Sequence, residues 1–213
     1  MTETRDKLVG PLRRVLVLMH MTTAFGWLTC ALAVLLLTFH GATPTDQDDR
    51  LAVSAAVAHL DDDLLADFSF MTAYTGLVLA GLSHWGFTRF WWVAVKLALA
   101  IGLALGGRAL HTAFLADDTA ARTGTVDLRL VGAEVLMVAA IAVMAWIART
   151  KPWGRIRAQR GPARPWGHPA LYAVAIATPV LDYVTDLPLQ AIPAAVVLGH
   201  RARELLRAQT RTG

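Results

Sequence analysis

The run VLVLMHMTTAFGWLTCALAVLLLTF, Val15 to Phe39, contains no Asp, Glu, Lys or Arg in 25 residues. A helix of about 20 such residues crosses the hydrocarbon core of a bilayer, and a helix satisfies its own backbone polar groups where water cannot. Arg5, Lys7, Arg13 and Arg14 precede the run, and the turn His40-Gly41-Ala42-Thr43-Pro44 follows it. A basic arm before an apolar run resembles a secretory signal, but this run is about twice the length of a signal core and lacks a small-residue cleavage site. It reads as a retained anchor, and the fold class that follows is all-α, a transmembrane helix bundle.

Three more apolar stretches extend the pattern. The second runs from about Leu64 to Leu82 with Asp67 near its start. The third runs from about Phe90 to Leu110, interrupted by Lys96 and ending near Arg108, and the fourth from Leu130 to Ala148 with Glu134 near its start. Together they predict a four-span bundle over residues 1–157. The loop after the first span carries Asp46, Asp48, Asp49 and the run Asp61-Asp62-Asp63. Its apolar stretch Leu51 to Leu60 predicts a small helix on the outer surface, with Thr45 and Asp48 as a capping box.

Composition agrees with a membrane class: 55% of the 213 residues are hydrophobic and 17% charged, too apolar for a soluble domain of that size. The net charge of +4 does not indicate nucleic acid, because the basic residues sit beside apolar segments. The N-terminal arm, the connection between spans two and three and the segment after Ala148 hold eleven Lys and Arg, against Arg50, Arg108, Arg122 and Arg129 at the opposite ends. That bias places both termini in the cytoplasm of an inner-membrane protein. Arginine outnumbers lysine 17 to 3 and asparagine is absent, the usage of a GC-rich bacterial genome. The lone Cys30 excludes an intramolecular disulfide. The partners expected are the lipid bilayer and a second copy or another membrane protein, with no nucleic acid.

The tail, residues 158–213, continues a basic, Pro- and Gly-rich linker that runs from Lys151 to Pro165. It holds two apolar stretches, Ala170 to Leu181 and Leu187 to Gly199, separated by Asp182, Tyr183 and Asp186 and broken by Pro179, Pro188 and Pro193. Each is too short to span. A continuous fifth span would bury Asp182 and Asp186 and leave Arg201, Arg203, Arg207 and Arg211 outside. Two short cytoplasm-side helices, interfacial or packed under the bundle, or a re-entrant hairpin, are expected instead.

In the first span His20, Thr23, Trp27 and Cys30 recur at three- and four-residue steps and share an inward face. Lys96 lies at a similar depth on the third span. A His and Lys at one level would suit a proton or anion site; the simpler expectation is one interhelical hydrogen bond from His20 and a snorkelling Lys96. At the outer ends Asp67, Arg108, His111 and Glu134 predict an ion-pair clamp, with Asp67 and Glu134 also complementing the N-terminal dipoles of their helices; a cation-gathering site is the alternative. No cofactor is expected. A b-type haem shared by His20 and His111 is opposed by their different depths, which leaves ligation by a single histidine as the alternative. His59 beside Asp61 to Asp63 reads as a solvated cap and not a metal site. The spacings Thr72-Gly76-Ala80 and Ala98-Gly102-Gly106 predict close helix contacts, and Trp85, Trp91, Trp92, Trp146, Trp153 and Trp166 an aromatic belt on the basic side. Phosphate-loop, dinucleotide, hydrolase and zinc motifs are absent, so a non-catalytic protein with a structural, partner-binding or small-solute role is expected.

The runs LVLMHMTTAFGWL (Leu16 to Leu28) and YTGLVLAGLSHWGFTRFWWVAVKL (Tyr74 to Leu97), with His111 and the KPWGR at Lys151 to Arg155, resemble a group of small actinobacterial membrane proteins, the domain-of-unknown-function family 2269 or its relatives. The resemblance covers roughly Leu12 to Arg157. It implies a four-helix core with His20, Trp27, Lys96 and His111 at recurrent polar and aromatic positions, and brings no activity with it. The tail departs from that pattern.

Overall fold

The computed structural model describes residues 2–43, 46–83, 85–87, 89–115, 128–156, 168–185 and 187–209, with the backbone alone at 2–7, 108–115, 205 and 207–209. Among these residues every regular element is a helix: α1 Thr2–Gly41, α2 Gln47–Leu60, α3 Ala66–Leu82, α4 Trp91–Leu115, α5 Leu128–Thr150, α6 Pro169–Thr185 and α7 Ala191–Gln209. Three stretches, Leu8–Gly41, Gln47–Leu82 and Leu128–Thr150, are long and apolar enough to cross a membrane; the part of α4 with described side chains, Trp91–Gly107, and Pro169–Thr185 are shorter apolar stretches. The chain is all-α and has the build of a membrane protein.

The burial pattern of α1 follows its sequence periodicity. Leu16, Trp27, Cys30, Ala31, Val34 and Thr38 are buried, whereas Leu18, Phe25, Leu36 and Phe39 stand exposed on the other side. Exposed leucine and phenylalanine of this size would be a liability in water and are the ordinary surface of a helix in lipid.

One boundary differs from the sequence reading. The apolar stretch Leu51 to Leu60 is not a separate surface helix: α2 and α3 form one continuous helix over Gln47–Leu82, joined through a π-helical turn at Asp61–Leu65. Its N-terminus is capped by Asp46, whose carboxylate accepts the Asp49 N–H at 2.8 Å; Thr45 lies outside the described residues. Val53 and Val57 are buried against Val34 with Leu37 and Leu60 beside them, so α2 packs on the end of α1. The π turn keeps one row inward. An i, i+4 row drifts by about 40° per turn of an ordinary α-helix, and a wider turn takes up that drift, so Val53, Val57, Asp61, Leu65 and Ser69 are all buried.

Two compact units divide the chain: Met1–Met21, Ala73–Leu97 and Lys151–Gly213 form the first, and Thr22–Thr72 and Ala98–Thr150 the second. The core of the second unit joins Trp27, Cys30, Ala31 and Leu65 to Met137, Ile141 and Met144. In the first unit the tail folds as a helical hairpin, α6 and α7, against the end of α3. Here the prolines fail to break helices where the sequence suggests they would. Pro193 sits in the first turn of α7, where an N–H has no helical acceptor anyway. Pro179 lies inside α6, and its missing N–H orphans the Ala175 carbonyl four residues earlier. The Tyr74 hydroxyl donates to that carbonyl at 3.0 Å and receives a 2.9 Å hydrogen bond from Thr178.

Of the two small-residue spacings, Thr72-Gly76-Ala80 is packed, and the ring of His20 approaches to 3.2 Å of where a Cβ on Gly76 would stand. Ala98, Gly102 and Gly106 are exposed on α4, and nothing lies within 4 Å of a Cβ at either glycine. That second spacing makes no helix contact among the described residues.

Candidate functional site

In the first unit, three consecutive carbonyls at the end of α3 are capped by the tail. The last carbonyls of a helix lack N–H partners and carry the negative end of its dipole. Arg201 donates from Nε to the Gly81 carbonyl at 2.9 Å and from a terminal nitrogen to that of Ser83 at 2.7 Å. The Tyr172 hydroxyl donates to the Leu82 carbonyl at 3.4 Å. Arg201 is itself held by Glu204 at 2.6 Å. Gly81 is glycine because α7 lies against it: a Cβ there would fall 1.9 Å from Val197 Cγ1. At the hairpin's turn the Asp182 carboxylate accepts the Leu189 and Gln190 N–H groups at 2.8 and 3.2 Å; Asp186 lies outside the described residues.

Higher on the same helix, His20 Nδ1 and Thr75 Oγ1 share a hydrogen bond of 3.0 Å between α1 and α3. Lys96 is half-buried on α4. The basic edge of this unit is an aromatic and cationic cluster. Trp85 packs edge-on against Phe90 and Trp92, Lys151 Nζ lies 4.8 Å from the Trp85 ring, and Arg89 and Arg155 each lie 5.8 Å from Phe90. Backbone bonds from Trp91 to Gly154 and from Ile156 to Arg89 fasten the segment after α5 to the start of α4. Trp91 and Trp153 are exposed, as a belt at headgroup level requires; Trp166 lies outside the described residues.

In the second unit two carboxylates are turned inward. Glu134 is 2% exposed and Asp61 7%. Asp61 lines a small pocket with Trp27, Ser69, Ala104, Gly107 and Met137, whose volume of about 10 Å³ admits a single water. Of the outer cluster expected from the sequence, Asp67 and Glu134 have described side chains. Asp67 is exposed, in the middle of the continuous Gln47–Leu82 helix, so no helix N-terminus is there for it to complement. Glu134 is the seventh residue of α5, beyond the first turn in which a dipole acts. The side chains of Arg108 and His111 lie outside the described residues. His59 meets Asp63 at 3.7 Å, both largely exposed, while Asp61 points away into the core. Among the described residues no group of three or more His, Cys, Asp or Glu is arranged to hold a metal.

Sequence reading missed Asp61 as an individual because it sits in a run of three aspartates. The signal was present in the four-residue row Val53, Val57, Asp61, Leu65, which a helix break at the run conceals. The Tyr74 and Tyr172 contacts carried no local signal. No family model, curated protein or solved structure matches this chain.

Proposed function

We propose that the protein is a non-catalytic integral protein of a bacterial inner membrane, a four-span bundle with cytoplasmic termini whose role is structural or partner-binding. The observation that supports this most is the use made of its interior polar side chains. His20, Tyr74, Tyr172 and Arg201 are engaged in joining one helix to another or in closing helix ends, and the pocket beside Asp61 has room for only one water. The basic first-unit edge and the lysine and arginine bias support the orientation.

His20→Ala and Lys96→Met test the role. The expected outcome is a lower folded yield for His20→Ala, about 1 kcal/mol of lost stability for one interhelical hydrogen bond, and no change in proton or ion flux across proteoliposomes for either variant. Lost flux at unchanged folded yield would reject the structural role.

A second reading, proton or cation handling, is favoured by one observation: Asp61 and Glu134 are buried carboxylates within helices long and apolar enough to span, and ionisable groups in such positions mark ion and proton pathways. Under it, Glu134→Gln abolishes a pH-gradient-driven flux and leaves the protein folded.

A further inference from the structure

We infer that the α6–α7 hairpin is re-entrant: it enters the bilayer at the Leu82 end of α3, turns within the hydrocarbon, and presents Val180, Tyr183, Val184 and Leu187 to lipid acyl chains. The inference rests on the reading of the chain as membrane-spanning.

The register against α3 sets the direction. Tyr172 meets the carbonyl of Leu82, and six residues further along α6 Thr178 meets Tyr74, eight residues back along α3. The two helices are antiparallel, so α6 runs inward beside a segment that crosses the apolar layer. From Tyr172 to Thr185 is about 20 Å of helical rise, well inside a hydrocarbon core about 30 Å thick. The return helix has the same register, with Val197 against Gly81 and Arg201 on the Gly81 and Ser83 carbonyls.

Composition changes at the level this register predicts. Ala191 to Gly199 has no charged residue, and His200, Arg201, Arg203, Glu204 and Arg207 follow at once, where α7 passes the end of α3. Leu82 is the last apolar residue before Ser83 and the Trp85, Arg89, Lys151 and Arg155 belt, so the charged half of α7 begins at the headgroups. The tip carries Asp182 and Asp186, but the large side chains it leaves uncovered are apolar or aromatic: Tyr183 is 92% exposed, and Val180, Val184, Leu187 and Ile192 are exposed beside it. A tip facing water would leave these side chains wet while placing the arginines farthest from it.

Irregular backbone at membrane depth needs internal partners. Asp182 supplies them, both of its oxygens accepting N–H groups ahead of α7, and its charge faces the positive end of that helix. Thr185 donates back to the Leu181 carbonyl at 2.7 Å.

Single cysteines in the full chain carrying Cys30→Ala test this, reconstituted in sealed vesicles and treated with a membrane-impermeant maleimide. Arg203→Cys is expected to react from one side. Tyr183→Cys and Leu136→Cys, the latter an exposed position in the middle of α5, are expected to lose labelling from both sides, and a nitroxide at 183 to collide with oxygen and not with a water-soluble nickel chelate. On the unaltered protein a carbene probe dissolved in the lipid should modify residues within 180–192. Labelling of Tyr183→Cys with Leu136→Cys still protected overturns the hairpin alone; labelling of both overturns the membrane reading as well. A nitroxide at 183 shielded from oxygen and nickel alike, with no carbene modification, would mean that a second copy or a partner protein covers the tip, and the lipid assignment falls.

Discussion

Replacing Trp27 by Ala is expected to cost about 3 kcal/mol of stability, the lower end of the range for removing a buried indole. Trp27 is 1% exposed and is the largest side chain in the second unit's core, where α1 and α5 meet through Met137, Ile141 and Met144. Between helices in lipid the transfer term is weak, because acyl chains are as apolar as the core. What remains is dispersion lost around an unfilled cavity, and methionines that relax into part of it. Trp27→Phe keeps much of the volume and should cost less than half as much. Both are measured by reversible unfolding in mixed micelles, following helicity. Equal losses for the two variants would show that the indole N–H, and not the packed volume, is what matters there.

The same residue shows what was legible beforehand. Trp27 lies on a face of α1 whose inward members, His20 to Cys30, recur at helical spacing in a run that has no charge to end it, and the structure buries or half-buries each of them. Helices and their faces are properties of local sequence, and the four apolar stretches therefore reappear as α1, α3, α4 and α5. Where local sequence misleads, a tertiary partner has overridden it. The triple aspartate at Asp61 looks like a surface loop because three carboxylates in a helix are costly, yet a π turn points one inward and leaves Asp62 and Asp63 exposed. Pro179 looks like a helix end because it removes a hydrogen bond, yet the lost bond is replaced by a tyrosine 105 residues earlier. No window of sequence around Pro179 contains Tyr74.

That replacement is open to test on its own: Tyr74→Phe should cost roughly 1–3 kcal/mol by leaving the buried Ala175 carbonyl unpaired, and Pro179→Ala should restore most of it by returning the helical N–H. If Pro179→Ala rescues nothing, the carbonyl is not what Tyr74 serves.

A larger effect is expected at Arg201. Its guanidinium reaches two carbonyls that α3 cannot satisfy itself, and each charge-assisted bond contributes about 1.5–3 kcal/mol. Arg201→Leu should weaken docking of the hairpin by about 3 kcal/mol, allowing for water reaching one of the freed carbonyls. Arg201→Lys should recover only part, because an ammonium is a point charge without the planar fork that spans both acceptors. The readout is a cysteine at Val197, a position buried against Gly81, in the Cys30→Ala background. At 1.4 kcal/mol per factor of ten, its reaction with a water-soluble thiol reagent should accelerate roughly a hundredfold in Arg201→Leu. Gly81→Ala, which leaves every hydrogen bond in place but forces α7 outward, should also raise the rate. Acceleration by Gly81→Ala without any from Arg201→Leu would assign hairpin docking to apolar contact alone and leave the carbonyl caps of α3 without a holding role.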